Sequence, residues 1–176
     1  MTDIHTGQLL LRPFRESDYD DLLEFLSQLE DDEFEGYPGI TYENGREHLE
    51  YRLGSEEFYA IELTESGKVI GNIYCGNRDF EAREDGYIVN QREQQKGYAA
   101  EALTAVIAQA FREGAHRIYA ECDPRNVPSW KLLDKAGMRR ISDEISGSTG
   151  TKTTRPSGRI RWYTRFWRTR RHGNAS

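Results

Sequence analysis

A chain of 176 residues, 36% hydrophobic and 11% aromatic, is long enough to bury one sizeable core and too short for two independent domains to be expected. With 31% charged residues it holds no run of about 18 apolar side chains, and Met1 to Phe14 carries Asp3 and lacks a basic region followed by an apolar stretch, so a membrane span and a leader are not expected. The net charge of -6 is unevenly split: all 30 Asp and Glu lie at or before Glu144, so residues 1–144 carry -14 and the remainder +8.

These figures set the first expectations: one domain over 1–169, a loose tail over 170–176, and a soluble, cytoplasmic protein with no membrane partner. Cys75 and Cys122 sit in apolar runs without a Cys-x-x-Cys spacing, and the four histidines (His5, His48, His116, His172) form no His-x-x-x-His pair. A disulfide framework and a metal centre are therefore not expected, and both thiols are read as buried.

Leu9, Leu10 and Leu11 before Pro13 predict a short strand. Ser17 is the expected N-cap of an acidic helix in which Leu22, Leu23, Phe25, Leu26 and Leu29 recur at helical spacing. Residues 30–39 read as an acidic loop, and a second helix is expected over 42–53. Residues 58–63 and 69–75 flank a turn as an antiparallel hairpin, and Gly86-Tyr87-Ile88-Val89 is a further strand. The pattern then alternates: helix 99–113, strand 117–122, helix 127–136 and a strand from Met138. Ala99, Leu103, Val106, Ile107, Ala110 and Phe111 keep one face of the first of these helices apolar. Residues 146–158, rich in Gly, Ser and Thr, read as a long mobile loop, and 159–168 as a last strand despite its arginines.

The stretch Gln94-Gln95-Lys96-Gly97-Tyr98-Ala99 falls between a strand and a helix start. A glycine there lets backbone approach a ligand, and the N–H groups of a first helical turn point outward with the positive end of the dipole, which makes a pyrophosphate seat. Neither the P-loop spacing nor Gly-x-Gly-x-x-Gly is present. A plain helix start eased by glycine is the other reading of the same residues.

Context decides between them. The chain resembles the GCN5-related N-acetyltransferase (GNAT) superfamily, in its branch of Rim-type ribosomal-protein acetyltransferases (RimJ/RimL-like). The resemblance is carried by Leu11-Arg12-Pro13-Phe14 with Asp18, Val69-Ile70-Gly71, Gly86-Tyr87-Ile88-Val89, Gln94-x-x-Gly97-x-Ala99, Ala99-Ala100-Glu101-Ala102, and Asn126-x-x-Ser129 leading to Leu133-x-x-Ala136-Gly137-Met138. It covers about residues 8–145. It implies an α/β (α+β) GNAT fold: a mixed, mostly antiparallel central sheet of six to seven strands, splayed between the fourth and fifth, flanked by about four helices. It also implies acetyl-CoA as acetyl donor, with Ile88, Val89 and Asn90 pairing to the pantetheine arm. Gln94, Gln95, Lys96, Gly97, Tyr98 and Ala99 would form the pyrophosphate loop, Asn126 a coenzyme contact, and Ser129 a group near the sulfur. On its own chemistry Asn126 is a good N-cap with Pro128 in the first turn, and both roles can hold at once.

Amine attack on a thioester carbonyl needs a neutral amine, a donor for the oxyanion and a proton for the departing thiolate. The resemblance implies the Val89 N–H as oxyanion donor, a kind of group worth roughly 3 to 4 kcal/mol in other oxyanion holes. Ser129 is the candidate catalytic proton donor; the family often uses a tyrosine on this helix, whereas Trp130 beside Ser129 has no hydroxyl. An α-amino group with a pKa near 8 is about one-tenth neutral at pH 7, against roughly one lysine in 2,500. Glu84 is the candidate to take the amine proton through water, with a plain strand-edge carboxylate as its simpler reading and Glu33 and Glu35 as rivals. The resemblance places the acidic loop at the acceptor wall, which makes Glu33, Phe34, Glu35 and Tyr37 the candidate acceptor-binding residues. Their carboxylates would attract a cationic amine, a small molecule or a protein N-terminus.

Three functions are thereby in contention. The leading one is an acetyl-CoA-dependent N-acetyltransferase acting on a primary amine, as a monomer or homodimer. An alternative is a non-catalytic GNAT-fold module that binds an acyl-CoA or a partner. The third is nucleic-acid binding through Trp162, Tyr163, Phe166 and Trp167 among the C-terminal arginines, but that alternation also describes a strand with one buried face. The acidic body argues against polyanionic partners, so no nucleic acid is expected.

Overall fold

Side chains two apart on a strand share a face, and Leu9 and Leu11 are both fully buried beneath the first long helix of the second half of the chain. The computed structural model describes residues 1–34, 39–78, 82–145 and 159–165. The expectations for Glu35, Tyr37, the 146–158 loop, Phe166, Trp167 and the 170–176 tail lie outside them.

Eight strands form one sheet: β1 (Ile4–His5), β2 (Leu9–Arg12), β3 (Phe58–Leu63), β4 (Val69–Arg78), β5 (Ala82–Val89), β6 (Arg117–Cys122), β7 (Arg139–Ile145) and β8 (Arg159–Arg165). Their order is β1-β2-β3-β4-β5-β6-β8-β7. Every neighbouring pair is antiparallel except β5 and β6, which run parallel because a helix crosses between them. The count exceeds the expected six to seven by β1, whose two residues are too few to show an alternating pattern. The last strand, read over 159–168, is a sheet strand over Arg159–Arg165 between β6 and β7.

Helices α1 (Tyr19–Ser27) and α2 (Gly45–Leu53) cover one face, and α3 (Tyr98–Arg112) and α4 (Val127–Lys135) the other. Two separate apolar clusters result. Leu22, Phe25, Leu26 and Leu49 pack with Ala60, Val69 and Ile88 on the first face. Ala102, Leu103, Val106, Ile107 and Ala110 pack with Leu9, Leu11, Ile61 and Ile73 on the second, where the buried free thiols Cys75 and Cys122 also lie. No helix among the described residues is long and apolar enough to cross a membrane.

Two helix starts differ from expectation for local reasons. Ser17 does not cap α1: it sits inside a 3-10 turn over Glu16–Asp18, and the side chain that matters there is Asp18, whose Oδ2 accepts the Arg15 N–H at 2.7 Å. The second helix starts at Gly45 rather than Tyr42, because Thr41 and Asn44 bond reciprocally to each other's backbone N–H and close a turn first (Asn44 Oδ1 from Thr41 N–H, 2.7 Å).

The polar centre of the fold is Arg12, only 2% exposed. Its guanidinium forks onto both oxygens of Asp18 at 2.8 and 2.9 Å, reaches Glu62 through Nε, and donates to the Pro13 carbonyl. Burial by itself would release the guanidinium proton, but Asp18 and Glu62 outweigh it and raise the pKa above the ordinary value. This cluster ties β2 and β3 to the start of α1. Replacing Asp18 with Ala leaves the buried cation with Glu62 as its one carboxylate among the described residues and removes the bond to the Arg15 N–H, and is expected to cost about 3–5 kcal/mol in denaturant unfolding at pH 7. A loss under about 1 kcal/mol would contradict the assignment.

Candidate active site

The β5–β6 ladder runs only from Ala82 with Arg117 to Asp85 with Ala120, whereas β5 stays paired with β4 as far as Val89 with Gly71. Beyond Asp85 the sheet opens into a V, between the fourth and fifth of the strands expected from sequence. Asn90 N–H donates to the Ile70 carbonyl at 2.7 Å. The alternation of an antiparallel ladder then turns the backbone of Ile88 toward β4, and that of Tyr87 and Val89 toward the V. The Val89 carbonyl on that side accepts Gln94 Nε2 at 3.1 Å, which leaves its N–H at the open edge.

This corrects two expectations. Ile88 spends its backbone on β4. Asn90 is 1% exposed, gives its N–H to Ile70 and its carbonyl to Glu93 N–H, and binds Glu24, Gln28 and the Arg92 N–H with its side chain. It anchors the end of β5 to α1. Of the three residues expected to meet a pantetheine arm, Val89 alone has backbone facing the V, and the Tyr87 backbone faces it too. Glu24 is held below its ordinary carboxylate range by hydrogen bonds from Lys68 and Asn90, so the anchor is charged at neutral pH.

At the mouth of the V the chain turns through Gln95 (φ 62°) and Gly97 (φ 95°) into α3. Both lie in the left-handed region, which glycine enters freely and glutamine at a cost of order 1 kcal/mol or more. The turn splays its amides outward. Among the described residues, none of the N–H groups from Gln95 to Ala100 has a protein acceptor; the first to find one is Glu101, on the Gly97 carbonyl. Glu101, in the same helical turn, faces away. It takes hydrogen bonds from Thr6 Oγ1 (2.6 Å) and from Gln8 N–H and Nε2 (2.8 and 2.9 Å). Burial would raise its pKa, yet these donors lower it overall. Lys96 pairs with Glu93 at 2.8 Å.

On the far arm Asn126 caps α4 as expected: its Oδ1 accepts the Ser129 N–H at 3.1 Å, with Pro128 in the first turn. Ser129 Oγ lies 2.7 Å from the hydroxyl of Tyr87, which crosses from β5 on the α3/α4 face. Sequence reasoning did not single out the Tyr87 side chain. Its pairing with Ser129 spans 42 positions, and only strand parity, opposite to buried Ile88, hinted at it.

The acceptor-side candidates behave differently. Glu33 binds Arg125 at 2.8 Å, and the Arg125 guanidinium stacks 5.6 Å from the Phe34 ring centroid while forking onto Asp123. The acidic loop is thereby strapped to the β6–α4 turn, and Glu33's charge is already matched. The backbone of Glu84 pairs with Gly76 and Tyr119, one position below the opening of the V; its side chain lies outside the described part. Gly86, two residues on, has open space where a Cβ would stand. Beyond it on the α1/α2 side is an open cleft lined by Glu47, His48, Tyr51, Arg52 and Phe58. Burial, then Arg52, hold His48 below its ordinary pKa, and it is neutral at pH 7. Among the described residues no cluster of three or more His, Cys, Asp or Glu could hold a metal.

A sheet opened beside a strand-turn-helix seat for an anion defines a coenzyme-binding transferase fold. The GNAT acetyltransferase domain model matches residues 8–139, and the chain belongs to that family. It is similar to the uncharacterized N-acetyltransferase YnaD of Bacillus subtilis, with 32% identity over 143 residues, 78% of this chain and 82% of that one. Among solved structures it is similar to a GNAT-family acetyltransferase from Bacillus anthracis (TM-score 0.77, 28% identity, 92% of this chain and 96% of that one). In fold alone it is similar to RimL, a ribosomal L7/L12 alpha-N-protein acetyltransferase in complex with coenzyme A (TM-score 0.78, 16% identity, 93% and 98% covered). The protein is an N-acetyltransferase of the GNAT type.

The V depends on a close approach of β4 to β5. A Cβ on Gly71 would lie 2.1 Å from the Ile88 carbonyl oxygen. Gly71→Ala is expected to force β5 away at Ile88–Val89 and to cost about 1–3 kcal/mol in thermal or denaturant unfolding. Gly86→Ala, where space is open, should stay within about 0.5 kcal/mol. Equal effects at the two glycines would contradict the register.

Proposed function

We propose that the protein moves the acetyl group of acetyl-CoA onto a primary amine, a protein N-terminus or a small cationic amine, by direct attack through a tetrahedral intermediate. The observation that carries this reading is the run of acceptor-free amides from Gln95 to Ala100 at the start of α3, at the mouth of an open strand edge. Backbone donors and the helix dipole suit a pyrophosphate within a protein whose body is otherwise acidic. Lys96 adds local positive charge there, shared with Glu93.

In this reading Gln94 holds the turn by bonding the Val89 carbonyl, and the Gln95, Lys96, Gly97, Tyr98 and Ala99 amides take the pyrophosphate. Tyr87 and Val89 offer backbone to the arm, and the Val89 N–H serves the oxyanion. Asn126 fixes the start of α4 so that Ser129 faces the V, where its hydroxyl supplies the proton to the thiolate. In this reading the acceptor comes from the α1/α2 side past Gly86, the loop at Glu33 and Phe34 is one wall, and Glu84 is the candidate to take the amine proton through water. The name of the RimL relative, an α-N-protein acetyltransferase, puts protein N-termini first among acceptors to try. An α-amine also asks least of a base, since about a tenth of it is already neutral at pH 7.

The test is thiol release on mixing the protein with acetyl-CoA and a panel of peptides with free α-amines, polyamines and lysine peptides. Release is expected with an α-amine or small amine, rising in rate between about pH 7 and 8 as the amine loses its proton. Measurable coenzyme binding without release above background for any acceptor would overturn the transfer reading and leave a binding module.

A further inference from the structure

The two arms of the V are joined on the α3/α4 face by a hydroxyl pair, Tyr87 on β5 and Ser129 in the first turn of α4, 2.7 Å apart. The Tyr87 hydroxyl also lies 3.2 Å from the Ser129 carbonyl, which can only accept. Either hydroxyl can donate across the 2.7 Å contact; in the arrangement where the phenol proton goes to Ser129 Oγ, the serine's own hydrogen is left free to point into the V. We propose that Tyr87 is a positioning residue for proton delivery: it orients Ser129 and replaces the proton that Ser129 gives to the departing thiolate. This rests on the acetyl-transfer reading above.

Chemistry asks for such a partner. An aliphatic hydroxyl holds its proton about as tightly as water does, far more tightly than a thiol, and alone is a poor donor to a thiolate. A phenol is a far stronger acid than an aliphatic hydroxyl and is ordinarily within about one to two units of a thiol, so a relay that ends on Tyr87 leaves the negative charge where it is tolerated. Geometry agrees. Val89, whose N–H serves the oxyanion in this reading, and Tyr87 face the same open edge two residues apart, about 7 Å at strand rise, so a thioester held at Val89 lies within side-chain reach of the Tyr87–Ser129 pair.

The balance is complete. The amine lone pair attacks the acetyl carbon, and the C–N bond forms and the C–S bond breaks. The sulfur takes the Ser129 proton, Ser129 Oγ takes the Tyr87 proton, and the tyrosinate recovers one from water, to which the amide nitrogen has released its own.

Tyr87→Phe keeps the ring and removes the hydroxyl. It is expected to lower kcat about tenfold to a hundredfold with coenzyme A affinity by calorimetry unchanged within about twofold. Ser129→Ala should fall as far, and the double variant no further. A Tyr87→Phe enzyme with kcat within about twofold of wild type, a loss confined to coenzyme affinity, or losses that multiply in the double variant would overturn the relay alone. No thiol release from the wild type would overturn the transfer reading, and the relay with it.

Discussion

A strand inside a sheet is expected to bond on both edges, because buried backbone N–H and C=O groups left without partners cost free energy comparable to a lost hydrogen bond. Strand β5 breaks this rule over half its length: it has β4 throughout and β6 only up to Asp85. The rest of the architecture can be understood as holding that opening in place. Asn90 fixes the far end of β5 to α1 through Glu24 and Gln28, Gln94 takes the Val89 carbonyl, and Tyr87 spans to Ser129 on the opposite arm. The amide run from Gln95 to Ala100 continues the same condition around the mouth. In our proposal acetyl-CoA supplies the partners that β6 withholds.

Rigidity behind the opening comes from buried polar contacts, and those on the surface serve differently. The Arg12–Asp18 fork is almost fully shielded from water and joins sheet to helix. Arg52, also buried, reaches from α2 to Asn72 on β4, the residue paired with Ile88, with its guanidinium 5.0 Å from the Phe58 ring centroid. Arg125 and Glu33 are each more than half exposed, and such a pair contributes about 0–1 kcal/mol to stability. Its significance is positional: it holds the acidic loop across to the turn that presents Asn126 and Ser129. That strap also tempers the first view of the loop, in which every carboxylate was available to an acceptor.

Features with a local cause were legible in the sequence. The 3.6-residue spacing of Leu103, Val106, Ile107 and Ala110 predicts α3 and its buried face, Gly97 marks the left-handed turn, and Asn126 with Pro128 marks the start of α4. Ser17 misled because a serine before an apolar run looks like a cap, while the carboxylate one residue on had a stronger claim from Arg12. The functional side-chain pairings were hidden for a common reason. Tyr87 with Ser129, and Arg125 with Glu33, join residues 42 and 92 positions apart, and neither leaves a periodic or capping signature. Strand register carried the remaining correction, since which residues of β5 face the V depends on the Asn90–Ile70 bond and not on composition.

The central claim is that the open edge at Val89 and the amides of Gln95 to Ala100 receive the coenzyme. Residue-resolved amide hydrogen exchange, with and without saturating coenzyme A, tests it most directly. The account predicts that these amides exchange rapidly in the free protein and become protected together on binding, by at least about tenfold, while the Arg12–Asp18 region does not change. Coenzyme A bound with those amides still exchanging at their free rates, and protection appearing elsewhere, would contradict it.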